Sequence, residues 1–330
     1  KMKTLVKTEE QLLMAEERRL KRGTDPNYKP QYVLKNVVFM TYLHLGALYG
    51  LYLILTTARP ITFGWTMFYA TLSGLGITAG AHRLWTHRAY KAKLPLRVFL
   101  AFCNTVALQN DIYEWTRDHR VHHKFSETDA DPHNACRGFF FAHVGWLLQK
   151  KHPYVKKFGK SVELEDLERD PVVMFQKKHY IPLVVVFSLI LPALVPWYFL
   201  SETFMTSWFV ATVFRYVLSL HFTWLVNSAA HMWGNKPYDK FINPAENRLV
   251  AFLAFGEGWH NYHHTFPWDY KTAELGGYSL NLTTAFIDLC AYLGLAYDLK
   301  TCPDSLVKSK VLKCGDGTHP VFHRGETCSS

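Results

Sequence analysis

Four apolar blocks dominate this sequence, and each is long enough to cross a bilayer, which takes about 20 largely apolar residues. Val37–Thr57 and Phe63–Ala81 carry no formal charge. Ile181–Leu200 carries none either, and it holds Pro182, Pro192 and Pro196, which membrane helices tolerate better than soluble ones. Met205–Ala230 contains Arg215 and His221. Buried helices of a large soluble protein are the competing reading. Four such runs, paired by short connections, favour membrane spans. The mean hydropathy of −0.06 hides the pattern, because charged residues, 19% of the chain, sit in separate blocks. That low charge and 49% hydrophobic content exclude a disordered chain. Six cysteines without a CxxC pair support neither a disulfide framework nor a zinc ribbon.

Lys and Arg set the orientation. Nine precede the first span, one (Arg59) separates spans one and two, seventeen lie in His82–Tyr180, none separates spans three and four, and nine follow Ala230. The positive-inside rule then places both termini and the long middle segment in the cytosol. The net charge of +10 therefore reads as a membrane-protein signature and not as a nucleic-acid footprint. The first 35 residues are charged throughout and show no cleavable signal pattern. The expected organisation is a cytosolic segment (1–36), spans one and two (37–81), a cytosolic segment (82–180), spans three and four (181–230), a cytosolic cap (231–300) and a mobile tail (301–330). Leu94–Leu108 contains Arg97 and Ser279–Tyr297 contains Asp288. Both read as helices at the interface or packed on the cytosolic domain, the second with Leu282, Phe286, Leu289 and Leu293 on one face.

Histidine is the abnormal residue, with 17 copies. His82 and His87 stand in HRLWTH, His119, His122 and His123 in HRVHH, His260, His263 and His264 in HNYHH, and His231 ends span four. All nine fall on the cytosolic side or at its boundary. The HxxHH spacing puts three imidazoles on one helix face. His82 and His87, five apart, lie about 140° apart around a regular helix, so the helix is expected to fray or end between them. Nine imidazoles are too many for one ion and suit two. Imidazole serves Fe, Zn, Cu and Ni alike, so ligand type does not name the metal. His44 and His221, inside spans, and the isolated His133, His143, His152, His179, His319 and His323 read as ordinary structural residues.

No HExxH zinc-protease signature occurs, since Arg120 follows His119 and Asn261 follows His260. Glu-x-x-His, which soluble di-iron carboxylate enzymes need on two helices, occurs once among the boxes, at Glu257–His260. A histidine-rich, carboxylate-poor membrane cluster points to oxygen activation on a long aliphatic chain, with the metal supplying the oxidising power. A membrane hydroxylase or sterol-type oxidase and a metal-binding scaffold without turnover stay open on these grounds.

HRLWTH, EWTRDHRVHH, ETDADPH, NSAAH and GEGWHNYHHTFPWDY together resemble the animal membrane acyl-CoA desaturases, the stearoyl-CoA desaturase family, from about Asn36 to Thr318. The resemblance implies an all-α membrane protein: a four-span helix bundle with a cytosolic helical cap carrying a histidine-rich di-iron site. It implies two iron ions (Fe2+), an acyl tunnel, and O2-dependent removal of two hydrogens from a saturated fatty acyl-CoA to give a cis double bond, Δ9 by family default with another position left open. It also implies an endoplasmic reticulum membrane and electrons from cytochrome b5 and its NADH-dependent reductase. No HPGG haem motif is present, so the cytochrome is expected as a separate protein.

By the same resemblance the nine box histidines are metal ligands, with Asn227 acting through a water. The CoA contacts fall on Asn36, Asn110, Arg117, Asp118, Lys150 and Lys151. Trp224 meets the thioester carbonyl, and Gln109, Trp115 and Thr223 bend the tunnel. Ala70 and Gly74 in the second span mark the tunnel end. Four apart, they share a helix face, and small residues there read equally as close helix packing or as room for a long acyl chain.

Overall fold

The computed structural model describes residues 20–322; the first nineteen residues and the last eight, His323 among them, lie outside the described residues. Three described helices are long and apolar enough to cross a membrane: α1 (Leu34–Thr56), α5 (Tyr180–Phe199) and α6 (Phe204–Met232). They fall on the first, third and fourth apolar blocks. Leu45, Leu48 and Leu55 of α1 and Ile181, Val186 and Ile190 of α5 point outward, as a lipid-facing surface requires. The inner face of α1 is lined by Gly46, Ala47 and Gly50, and a Cβ on Gly50 would lie 2.4 Å from the Phe209 carbonyl oxygen of α6. Only small residues permit that backbone approach.

The second block behaves differently. Its regular helix is α2 (Pro60–Leu75), started by proline in the first turn, where a missing N–H costs nothing. From Gly76 to Thr86 the chain continues as a π-helix, all eleven residues buried. Gly76 is needed at the change, because a Cβ there would stand 2.2 Å from the backbone of Cys103. The helix does end between His82 and His87, at Thr86, but as a π-helix and without fraying. The backbone widens, with the His87 N–H donating to the His82 carbonyl, and i→i+5 bonding brings residues five apart onto one face.

α3 (Leu94–Ala107) and α8 (Leu282–Tyr292) are too short to span. They meet through Phe99 and Phe286. The outward face of α8 is the apolar one: Leu282, Leu289 and Leu293 are exposed, whereas Thr283, Thr284, Ile287 and Cys290 are buried. A short antiparallel ribbon, β1 (Lys91–Ala92) with β2 (Ala296–Tyr297), ties the two helices together. α4 (Ile112–Phe125) and α7 (His260–Thr265) carry the second and third histidine boxes.

The expectation of a mobile tail fails over most of its length. α9 (Asp304–Cys314) packs Val307 and Val311 against Tyr238, Tyr262 and Phe266, and Lys310 reaches Asp239 at 2.8 Å. Val307 and Val311, four apart, share its buried face, while Leu306 and Leu312 are exposed.

Candidate metal centre

The nine box histidines converge in two groups. One holds His82, His87, His119, His123 and His263, the other His122, His231, His260 and His264, each with ligand atoms within 4.8 Å of one another. The π-helix delivers the first pair. α4 is capped by the Asp111 side chain, which accepts from the Glu114 N–H, and its i, i+3, i+4 spacing splits His119 and His123 from His122. α7 divides its box likewise, one imidazole to the first group and two to the second. His231 arrives from α6 beyond a break at Ser228, where the helix is bent (φ −108, ψ −76).

Carboxylates stand behind the imidazoles. His82 Nδ1 lies 2.8 Å from Glu257, His122 Nδ1 2.9 Å from Asp131, and His231 Nδ1 3.3 Å from Glu127. An ionised carboxylate only accepts, so the Nδ1 atoms of His122 and His231, hydrogen-bonded to theirs, carry the protons and their Nε2 lone pairs face inward, while His82 Nδ1 stands at ion-pair distance from Glu257. The reading of the cluster as carboxylate-poor is therefore corrected: the carboxylates stand one layer behind the imidazole nitrogens. Glu257 is held in turn by Arg83 at 2.9 Å. Burial pushes Glu257 up, but Arg83 and His82 outweigh it and hold the carboxyl below its ordinary value.

Inside the cluster, Nε2 faces Nε2 at 3.0 Å for His82–His263 and His263–His123, and at 2.9 Å for His260–His231. His264 Nε2 stands 3.1 Å from His260 Nε2. One imidazole proton cannot serve two such contacts, and His231 has none to give. Lone pairs at this separation repel unless a cation lies among them. Burial first, then neighbouring imidazoles, hold His87, His119, His123, His260, His263 and His264 well below the ordinary histidine value, so they are neutral and ready to ligate. At His122 burial works the same way, but Asp131 outweighs it and raises the value. The residues thus fit two metal ions.

An apolar cavity of about 260 Å³ runs past both groups. Ala70, Gly74, Gln109, Asn110 and Trp115 line it, as do Asp118, Thr223, Trp224 and Asn227. Gln109 Nε2 donates to Thr223 Oγ1 at 3.0 Å, joining α6 to the loop before α4, and the Trp115 ring stacks on His119. Asn36, Arg117, Lys150 and Lys151 do not line the cavity. Arg117 and Lys151 both grip Asp118, and Asn36 donates to the Leu147 carbonyl at 2.8 Å. Lys150 borders a small neighbouring hollow with Lys151 and Asp131.

Several histidines set aside as ordinary are not isolated. His133 lies on the cavity wall beside His122, its backbone N–H on Asp131, and burial lowers its pKa to about 3. His143 bridges Ser228 and His221, both at 2.9 Å, and His44 packs on His221. Sequence reasoning also passed over Glu127, Asp131 and Arg83. ETDADPH contains the first two, yet nothing in their spacing ties them to particular imidazoles.

The family model described as fatty acid desaturase matches residues 57–270. An acyl-CoA Delta-9 desaturase of Acheta domesticus is 60% identical over 93% of this chain and 85% of its own length. An acyl-CoA Delta12-desaturase of the same cricket is 62% identical over 91% of this chain and 84% of its own length. The stearoyl-CoA desaturase of Homo sapiens is 57% identical over 89% and 81%. With a family match spanning most of the chain, and with its histidines gathered as such an oxidase requires, this chain belongs to the fatty acid desaturase family.

Proposed function

We propose that this protein is a membrane acyl-CoA desaturase that introduces a cis double bond, at Δ9, into a saturated fatty acyl-CoA. The observation that carries the reading is the meeting of nine converging imidazoles with an apolar cavity that passes directly beneath them. Bound there, a pair of iron ions supplies the O2-dependent oxidising power that no side chain has. The first group of five histidines holds one ion. The second group of four holds the other, with Asn227 contributing through a water.

The protein's own residues do the placing. Arg117, Lys151 and Asp118 form a charged head-group site at the cytosolic mouth with Asn36, Asn110 and Lys150, suited to the phosphates and amides of CoA. Trp224 meets the thioester carbonyl. The Gln109–Thr223 bond and the Trp115 ring set the bend that holds one carbon pair beside the histidines. The enclosing apolar wall excludes water from the reacting carbons. Asp131 and Glu127 keep two imidazoles in the ligating tautomer.

The topology we propose is four spans in the endoplasmic reticulum membrane, with both termini and the cap in the cytosol. α2 and its π-helical continuation form the second span, and the apolar faces of α3 and α8 rest on the bilayer surface. Electrons come from cytochrome b5 and its NADH-dependent reductase. Asn281 begins an Asn-Leu-Thr sequon, but it is buried and caps α8, so it stays unmodified.

The Delta12 cricket relative, 62% identical, favours a second reading in which the same machinery acts further along the chain. Expression in desaturase-deficient yeast, with double-bond positions mapped by mass spectrometry, tests both. Δ9 products support the first reading and Δ12 products the second. Hydroxylated products, or no new product from a well-expressed protein, would overturn both.

A further inference from the structure

Phe255 lies outside the histidine boxes and outside every residue group named above. It sits in the cap, between the helix Arg248–Leu253 and α7, yet its ring enters the bundle and lines the cavity. The ring rests on bare backbone. A Cβ built on Gly74 would lie 2.3 Å from Phe255 Cε2 and 2.8 Å from Cδ2. Gly74 precedes His82 by eight residues, in α2 just before the π-helix that carries the histidine. The ring therefore flanks the cavity where α2 forms its wall.

The backbone holding this ring is over-determined. Phe255 has φ +56, a left-handed conformation that bulky residues adopt only under constraint. Its carbonyl accepts from the Thr283 N–H at 3.1 Å, at the start of α8. Gly256 follows with φ +115, and a Cβ there would lie 2.3 Å from Asn281 Oδ1. One residue on, Glu257 holds His82 Nδ1. A single constrained turn thus aims an aromatic ring at the cavity wall and a carboxylate at the metal ligands.

We propose that Phe255 is a specificity-determining residue for acyl-chain length. Its ring, seated on Gly74, narrows the passage there and fixes the path of the distal methylenes. The proposal rests on the acyl-CoA reading of the cavity. A methyl group on Gly74 cannot be accommodated without driving the ring into the passage. Removing the ring leaves room on the same side.

The test is competition between palmitoyl-CoA and stearoyl-CoA in microsomes, for the full-length wild type, Gly74→Ala, Phe255→Leu and the double variant, with iron content read for each. Gly74→Ala is expected to shift use toward palmitoyl-CoA. Each displaced methylene is worth about fourfold, so a shift on the order of tenfold follows for the two-carbon difference. Phe255→Leu is expected to relax discrimination, and the double variant to move the ratio back toward wild type. Unchanged ratios in iron-loaded single variants, or no recovery in an iron-loaded double variant, overturn the proposal. Where Phe255→Leu loses iron, Phe255→Met, closer in volume, is read by the same ratio and the same criterion. A wild type that makes no unsaturated product strikes at the desaturase reading itself and removes the proposal with it.

Discussion

Arg83 in the π-helix that follows α2 and Arg215 in α6 are both fully buried, and they are satisfied in opposite ways. Arg83 pairs with Glu257 and gives its remaining protons to the carbonyls of Tyr270 and Lys271 and to Thr284 and Asn281. Among the described residues Arg215 bonds only neutral oxygens: Ala211, Val106 and Ser188 carbonyls and the Ser73 and Ser188 hydroxyls, with its guanidinium over the Tyr69 ring at 5.5 Å. Ser188 and Ala211 lie in π-helical stretches of α5 and α6, where the widened ladder leaves carbonyls in need of a second donor. The bundle arginine knots α2, α3, α5 and α6 together. Arg83 holds the carboxylate of Glu257 beside the His82 imidazole. One buried cation joins helices, the other backs the histidine cluster.

The comparison can be broken from the chemical side first. His263→Ala removes the imidazole whose Nε2 stands 3.0 Å from both His82 and His123. Activity is expected to vanish and bound metal to fall, read by product formation and elemental analysis; full metal content in that variant would refute the two-group assignment. Acidification acts on the same cluster. Six imidazoles sit below their unfolded value, so the unfolded chain binds more protons once the pH drops below about 6.5. Stability and metal retention should hold above that value and decline below it, in thermal melts taken across pH in detergent.

Arg83→Met leaves Glu257 buried without its cation and is expected to cost about 3–5 kcal/mol. Glu257→Gln keeps the shape and loses the charge, and should weaken metal binding about 10–100-fold. Arg215→Met is expected to be the mildest, about 1–3 kcal/mol, because it strands no opposite charge. Ser73 Oγ already bonds the Tyr69 carbonyl, and Ser188 Oγ the Val106 carbonyl. Equal loss of melting temperature in Arg83→Met and Arg215→Met would erase the distinction.

Much of the architecture was legible. The apolar blocks predicted α1, α5 and α6 to within a few residues, because about 20 uncharged residues in a row leave few alternatives. The outward apolar face of α8 was visible in its three-and-four spacing. The nine histidines stood out because three boxes at one end of a bundle are an unusual concentration. The π-helix was not legible, since its i→i+5 bonding is rarely signalled in sequence. Neither was docking of α9, which rests on two valines whose partners lie some 45 to 70 residues upstream.

What the sequence by itself determined was which segments are apolar enough to meet lipid and which side chains can bind metal. Hydropathy and residue chemistry are properties of the chain alone, whatever its path. Only the tertiary structure decided how nine imidazoles divide into five and four, and which carboxylates hold them. It also decided that Phe255 should reach into the bundle to rest on Gly74. Those contacts join residues up to 181 positions apart, as between His82 and His263. They depend on helix widening, a break at Ser228 and a left-handed turn at Phe255. Local patterns cannot encode such distances, because each is settled by what packs against it.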